Sequence, residues 1–480
     1  MDIIPQTRGV WHAKWNGRNV RTSGRKRSSA ATAAEKGFGV GFIAVGLAVG
    51  TGELVLWPYL SARHGLSILW LALLGITLQY FINLEVGRRA LATGESFYSS
   101  SAKAFAWFAP FWLFATVLLY VWPGWAGALG TILAELLGGS YVTWARVSLL
   151  LIVLFTLLGR VAYPFFERAM KVLVIVFFAL VTTVSVLTLS ASDIVSFFRG
   201  LTNPEWLTNM PDIHVLFGAM VFAGAGGLLN LCFSLWYRDK QAGMGAYAGR
   251  IVNPLTGKTE AVATHGFTFP LSEKNLREWR GWLRYLRMDQ GVLFWFLGGL
   301  TLLLLSMNAH AVLAPQGIVP QGVDIVVMQA NAFAAHWGAW GHTFFLVAAF
   351  LILFSALWTI VDAVARTISD IAFVNSRTGP FAKWADGLSR ISVHYWYYGV
   401  VIGMAIVNMV LLSFQTPLFF IVASSVLGGF TMAVYTPLLM YLNNWRLPKP
   451  LRPGWFTNFM LVLASLVYGA FTVITIVNFF

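Results

Sequence analysis

Gly50-Thr51-Gly52-Glu53 sets a hydroxyl and a carboxylate among glycines inside the first long apolar stretch of the chain. Glycine loosens a helix, and broken backbone at bilayer depth is tolerated only where it is buried in protein or lines a wet cavity. A carboxylate at that depth is costly enough to mark a site for a substrate, a proton or a coupling ion. A second loosened stretch, Ala223-Gly224-Ala225-Gly226-Gly227, interrupts another apolar span far along the chain. Two interrupted spans in separate parts of a hydrophobic chain point to the central site of a secondary transporter. Both stretches are therefore expected to bind the substrate. Glu53 also has a plainer reading, because a carboxylate is welcome at a helix N-terminus and could cap the amides freed in its own helix. Ser355, Thr359 and Asp362 fall on one side of a later span within two turns, where they could hold a coupling ion. The plainer reading of Asp362 is an ion pair with Arg366, four residues on.

The elements that must position these residues are membrane helices. Of the 480 residues, 58% are hydrophobic and 11% charged, and the mean hydropathy is +0.70. A soluble domain carries about 25% charged residues, so the fold class is an all-α polytopic membrane protein. Eleven spans are expected, near 37–61, 66–87, 105–137, 143–161, 165–190, 213–237, 289–310, 340–373, 393–412, 416–442 and 456–478. With the N-terminus cytoplasmic, 30 of the 33 Lys and Arg fall on the inner side, leaving Arg63, Arg146 and Arg199 outside. That split follows the positive-inside rule and sets the N-terminus in and the C-terminus out, as in a prokaryotic cytoplasmic membrane.

The same split gives the net charge of +14 a topological cause and removes the case for a nucleic-acid partner. The expected partners are the lipid bilayer and a small-molecule or ion substrate, and nothing in the sequence fixes the oligomeric state. Residues 1–36 hold eight Lys and Arg and no apolar core, which reads as a disordered cytoplasmic tail near anionic lipid rather than a cleavable signal. Residues 37–480 then form one transmembrane domain with a cytoplasmic insert at about 238–288. Within it, Leu276, Trp279, Leu283 and Leu286 share one helical face and Arg277, Arg280, Arg284 and Arg287 another, a pattern suited to a helix lying on the inner membrane surface. Asn253 to Gly257 reads as a turn between two short strands. The outer loop of about 311–339 lacks Lys and Arg and is placed to cap the outer mouth. Cys232 stands alone, so no intrachain disulfide can form. The eight histidines show no metal-site spacing, and no nucleophile or phosphate-loop motif is present, so neither an enzyme nor a cofactor is expected.

The stretch from Gly37 to Gly94 resembles the first two helices of the Nramp divalent-metal transporters, above all in Gly65-Leu66-Ser67-Ile68-Leu69-Trp70 and Arg88-Arg89-Ala90-Leu91-Ala92-Thr93-Gly94. Weaker likeness continues through Phe166-Glu167-Arg168 and Asn230-Leu231. The resemblance implies a LeuT-type inverted-repeat fold with helices 1 and 6 broken around a central site. It does not carry over the metal chemistry. Family members break helix 1 at Asp-Pro-Gly-Asn, and those positions correspond here to Gly50, Thr51, Gly52 and Glu53. Their helix 6 supplies methionine and histidine from Met-Pro-His-Asn-Leu, where this chain has Gly227 and Leu229. Acidic residues of the family's helix 3 are matched by Thr116, Pro123 and Ala126. The chain thus resembles a divergent relative without the family's metal-binding motifs, and no metal ligands are expected. A lone carboxylate suits an organic cation or hydrated Mg²⁺ better than Mn²⁺ or Fe²⁺, with cation–π help from Trp57, Trp122 or Phe222. Glycine-rich breaks also resemble those of amino-acid transporters of this fold, so a carboxylate-bearing solute stays open. A non-transporting sensor or scaffold is the rival outside transport.

Overall fold

A computed structural model describes residues 37–202, 213–255, 260–317, 324–382, 385–413 and 417–477, with 11–15, 18–22 and the single positions 319 and 322. Among the described residues, nine helices are long and apolar enough to cross a membrane. The bent pair Val40–Ala48 and Gly52–His64 makes a tenth. A second interrupted pair, Ile213–Val221 and Leu229–Asp239, takes the sixth place and completes eleven spans. Spans 2 to 5 are Leu66–Thr93, Phe108–Leu137, Tyr141–Leu158 and Ala162–Thr188. Span 7 lies within Glu273–Gln316, span 8 is Ala339–Asn375 and span 9 is Val393–Leu411. Spans 10 and 11 are Pro417–Trp445 and Trp455–Val477. This is an integral membrane protein.

Burial sorts the spans into a centre and a rim. In span 8, 78% of the most apolar window is buried inside the protein, against 28% in span 4. Span 4 turns Leu150, Leu154 and Leu158 outward, and span 5 turns Val172, Ile175 and Val186 outward. Such exposed rows are stable only when lipid covers them. Spans 1, 2, 6 and 8 each bury a polar side chain at the centre of the bundle, among them Glu53, Gln79, Asn230 and Asp362.

The starts of spans 1, 5 and 7 meet the ends of spans 6 and 8 at one end of the bundle, as alternate crossing requires. Asp289 receives the amides of Gly39 at 3.1 Å and Gly41 at 2.8 Å, capping the start of span 1, and the Tyr237 hydroxyl at 2.8 Å. Lys240 pairs with Glu167 at 3.0 Å. Arg238 pairs with Asp370 at 2.5 Å, and Arg366 bridges Asp239 and Asp362.

The insert departs from expectation in two ways. Ser272 caps a helix over Glu273–Met288, but this helix runs unbroken into span 7 instead of lying apart on the membrane surface. Its apolar face is claimed by protein: Trp279 and Leu286 are buried, and Trp279 meets the Phe269 ring at 6.4 Å. The four arginines of the other face remain exposed. Strands are not formed around the turn at Pro254 among the described residues, where Val252 makes one isolated bridge to Val161. The outer loop holds a helix, Asp324–Trp337, packed on span 8. In the N-terminal tail, expected to be without structure, Trp11–Trp15 and Arg18–Thr22 pair as an antiparallel hairpin.

Candidate functional site at the two broken helices

The two breaks meet. Span 1 bends by 41° between Ala48 and Gly52, and the next turn, Gly52–Leu56, is π-helical. Span 6 unwinds where Gly226 and Gly227 adopt φ of 71° and 55°, a left-handed geometry that glycine takes without strain. Gly52 lets the two backbones touch. A Cβ there would stand 2.5 Å from the Phe222 carbonyl oxygen.

A cavity of about 20 Å³ lies between them, lined by Gly50, Thr51, Gly52 and Glu53 from span 1 and Phe222, Gly224, Ala225 and Leu229 from span 6. That is room for roughly one water molecule. Trp125 of span 3 and Ala356 and Ile360 of span 8 complete the wall with Leu47 and Ala48. Of the residues expected at the site, Ala223, Gly226 and Gly227 shape the break but do not line the cavity. Glu53 is 2% exposed, and its Oε2 accepts the Gly50 amide at 3.0 Å. The carboxylate thus caps an amide freed in its own helix while standing on the cavity wall.

The span 6 break is held by side chains from elsewhere. Gln79 Oε1 accepts the Gly226 amide at 3.1 Å, and Gln79 Nε2 donates to the Val221 carbonyl at 2.8 Å. Tyr120 donates to the Gly226 carbonyl at 3.0 Å, Tyr435 to that of Gly227 at 3.1 Å, and Tyr98 to that of Leu228 at 3.1 Å. Asn230 joins Gln79 at 3.3 Å and Tyr435 at 3.2 Å. Sequence reasoning missed Gln79, Tyr98, Tyr120 and Tyr435 in this role. Gln79 alone carried a signal, an amide in the middle of an apolar span.

Among the aromatics singled out, only Phe222 lines the cavity. Trp57 donates to the Ala219 carbonyl at 2.9 Å, bracing span 6, and Trp122 donates to the Leu118 carbonyl in its own helix. Ser355, Thr359 and Asp362 do not line the cavity either. Ser355 donates to the Ile352 carbonyl at 2.8 Å and lies 3.2 Å from that of Gly46, while Thr359 lies 3.4 Å from the Met170 sulfur. Asp362 accepts from Arg366 at 2.6 Å, Trp236 at 2.8 Å and Tyr397 at 2.5 Å. Among the described residues, no three of His, Cys, Asp or Glu are grouped to hold a metal.

No protein-family model matches this chain, and no curated protein matches it in sequence. Solved structures do. A histidine-to-alanine mutant of the Eremococcus coleocola manganese transporter superposes with TM-score 0.64 at 14% identity, covering 94% of this chain and 88% of that one. The nucleobase-cation-symport-1 family transporter Mhp1, closed with bromovinylhydantoin bound, gives 0.53 at 13% identity, over 92% of this chain and 94% of its own. MhsT in complex with L-phenylalanine gives 0.52 at 15% identity, over 92% and 98%. At such identities the likeness is one of fold, and the fold is the LeuT type with spans 1 and 6 broken. The Nramp resemblance agrees with it at that level.

Proposed function

We propose that this chain is a secondary transporter that moves a small cationic solute by alternating access. An organic cation or hydrated Mg²⁺ fits better than Mn²⁺ or Fe²⁺. The carrying observation is the small cavity shared by the two helix breaks with Glu53 on its wall. The structural neighbours, transporters of manganese and ligand-bound relatives of the same fold, support transport as the class of activity. Glu53 is the one acid of the cavity lining, which holds neither methionine nor histidine. A soft-ligand metal site would need such groups.

The freed amides weigh against a carboxylate-bearing solute. Gly50 N–H is taken by Glu53 and Gly226 N–H by Gln79, so two donors that could hold a substrate carboxylate are already satisfied. Ser355, Thr359 and Asp362 are kept as the proposed coupling-ion group, with Asp362 available only when Arg366 moves away.

A thermal-shift screen of Mg²⁺, Mn²⁺, polyamines, guanidinium compounds and amino acids tests the reading, because a ligand of the native state raises the melting temperature. Stabilisation by a cation, with uptake of that cation into proteoliposomes, is the expected result. Stabilisation by an amino acid that persists in Glu53→Gln would overturn it in favour of a carboxylate site. Micromolar Mn²⁺ binding at this cavity would overturn the metal selectivity.

A further inference from the structure

A second, larger cavity of about 450 Å³ opens where spans 2, 8 and 10 end, at the end of the bundle that carries the 238–288 insert. The short helix Phe97–Ala104 and residues 265–268 close its sides. It shares no lining residue with the central cavity and falls in the size range of small-molecule sites.

The charges on its wall are unbalanced. Arg89, Lys103 and Arg446 face one acid, Glu95. Glu95 is already committed: Oε1 pairs with Lys103 at 2.5 Å and accepts the Gly266 amide at 2.8 Å, while Oε2 accepts from Ser100 at 3.0 Å and lies 3.8 Å from Arg89. Arg89 shares this one acid with Lys103 at a long 3.8 Å, and Arg446 has no carboxylate partner among the described residues. Arg89 is 6% exposed, donates through Nη1 to the Leu442 carbonyl at 3.1 Å, and has no partner for its buried Nε. Arg446 is half-buried, donates to the Tyr441 hydroxyl at 3.2 Å and stands 5.6 Å from that ring. A buried guanidinium nitrogen without a partner is expensive unless a ligand or water completes it.

We propose that this cavity binds a phosphate-bearing anion between Arg89 and Arg446. The planar guanidinium fork matches phosphate oxygens two at a time, which a lysine cannot do. Thr378 and Asn375 supply further polar groups on the same wall. The phosphate comes either from a dissolved compound or from a lipid headgroup at the membrane surface. Ser99 links the site to the rest of the molecule: it lines the cavity and donates to Asp370 at 2.9 Å, and Asp370 holds Arg238 at the end of span 6. An occupant therefore touches the charge network that ties span 6 to span 8.

Purified full-length protein in detergent is titrated with inorganic pyrophosphate at constant ionic strength, and its melting temperature is followed. In parallel, native mass spectrometry records phosphatidylglycerol retained from nanodiscs. Pyrophosphate stabilisation that weakens roughly tenfold or more in Arg446→Gln supports the site with a dissolved ligand. Retention of phosphatidylglycerol, lost in Arg446→Gln, supports it with a lipid headgroup. Arg89→Lys keeps the charge and removes the fork, and should weaken whichever probe binds; if it does not fold, Arg446→Gln decides alone. Failure of both probes on the wild type, or equal binding by wild type and Arg446→Gln, would overturn the proposal. Neither result depends on the transported solute.

Discussion

In span 1 the freed amide of Gly50 is taken by Glu53, three residues along the same helix, whereas in span 6 the groups freed around Gly226 and Gly227 are taken by Gln79, Tyr120 and Tyr435 from three other spans. Both breaks must satisfy their backbone, because there is no water in the bilayer core to do it. The first solution is local, and it leaves a carboxylate on the cavity wall. The second is distributed, and it ties the geometry of span 6 to the positions of spans 2, 3 and 10. A movement of those spans therefore reaches span 6 directly, while span 1 carries its own cap wherever it goes.

Removing the distributed support should have the largest effect. Gln79→Leu leaves the Gly226 amide and Val221 carbonyl unpaired in a buried place, at about 1–3 kcal/mol for each group. The melting temperature should fall clearly, and a wild-type melting temperature would break the contrast. Glu53→Gln sharpens it from the other side. Glutamine keeps an acceptor for Gly50 and removes the charge, so stability should hold while cation affinity falls roughly thirtyfold or more, equivalent to about 2 kcal/mol. Unchanged affinity would reduce Glu53 to a cap. Tyr435→Phe deletes one hydroxyl from the span 6 set and should lower stability by about 1 kcal/mol, visible in the same melting assay.

The smallest effect concerns Glu95, outside the spans. Burial pushes its carboxyl pKa up, but Lys103 and Arg89, with hydrogen bonds from Lys103 and Ser100, more than offset that and hold it at about 2. A carboxylate depressed in the folded state stabilises above its ordinary value of 4.5, and that contribution is lost as pH falls from there towards about 2. Glu95→Gln should therefore flatten the acid side of the stability profile. A profile as steep as the wild type would show that Lys103 and Arg89 do not hold this carboxylate.

The breaks were legible because glycine clusters stand out against apolar runs, and Glu53 because its partner is three residues away. Tyr435 was not, since its partner Gly227 is 208 positions distant and the chain holds 15 tyrosines. Trp122 was expected near the site and Trp125 occupies it; the turn at Pro123 between the two halves of span 3 decides which indole points inward. The insert helix shows a similar limit. Its stripe at Leu276, Trp279, Leu283 and Leu286 fixes a helix and its apolar face, but lipid and a neighbouring protein surface both accept such a face.

The charges at the ends of spans 6 and 8 are crossed. Span 6 gives Arg238 to Asp370 and receives Arg366 on Asp239, so each helix lends a cation and takes one. Drawing the helices apart strands both signs on both sides, and buried pairs of this kind are not released one at a time without water entering. In the proposed alternating-access cycle this clasp is expected to make opening of this end slow, steep in temperature and little affected by bulk salt while the pairs stay buried. Turnover rates measured against temperature and salt would reveal it, and Asp370→Asn should quicken the cycle without changing what the cavity recognises.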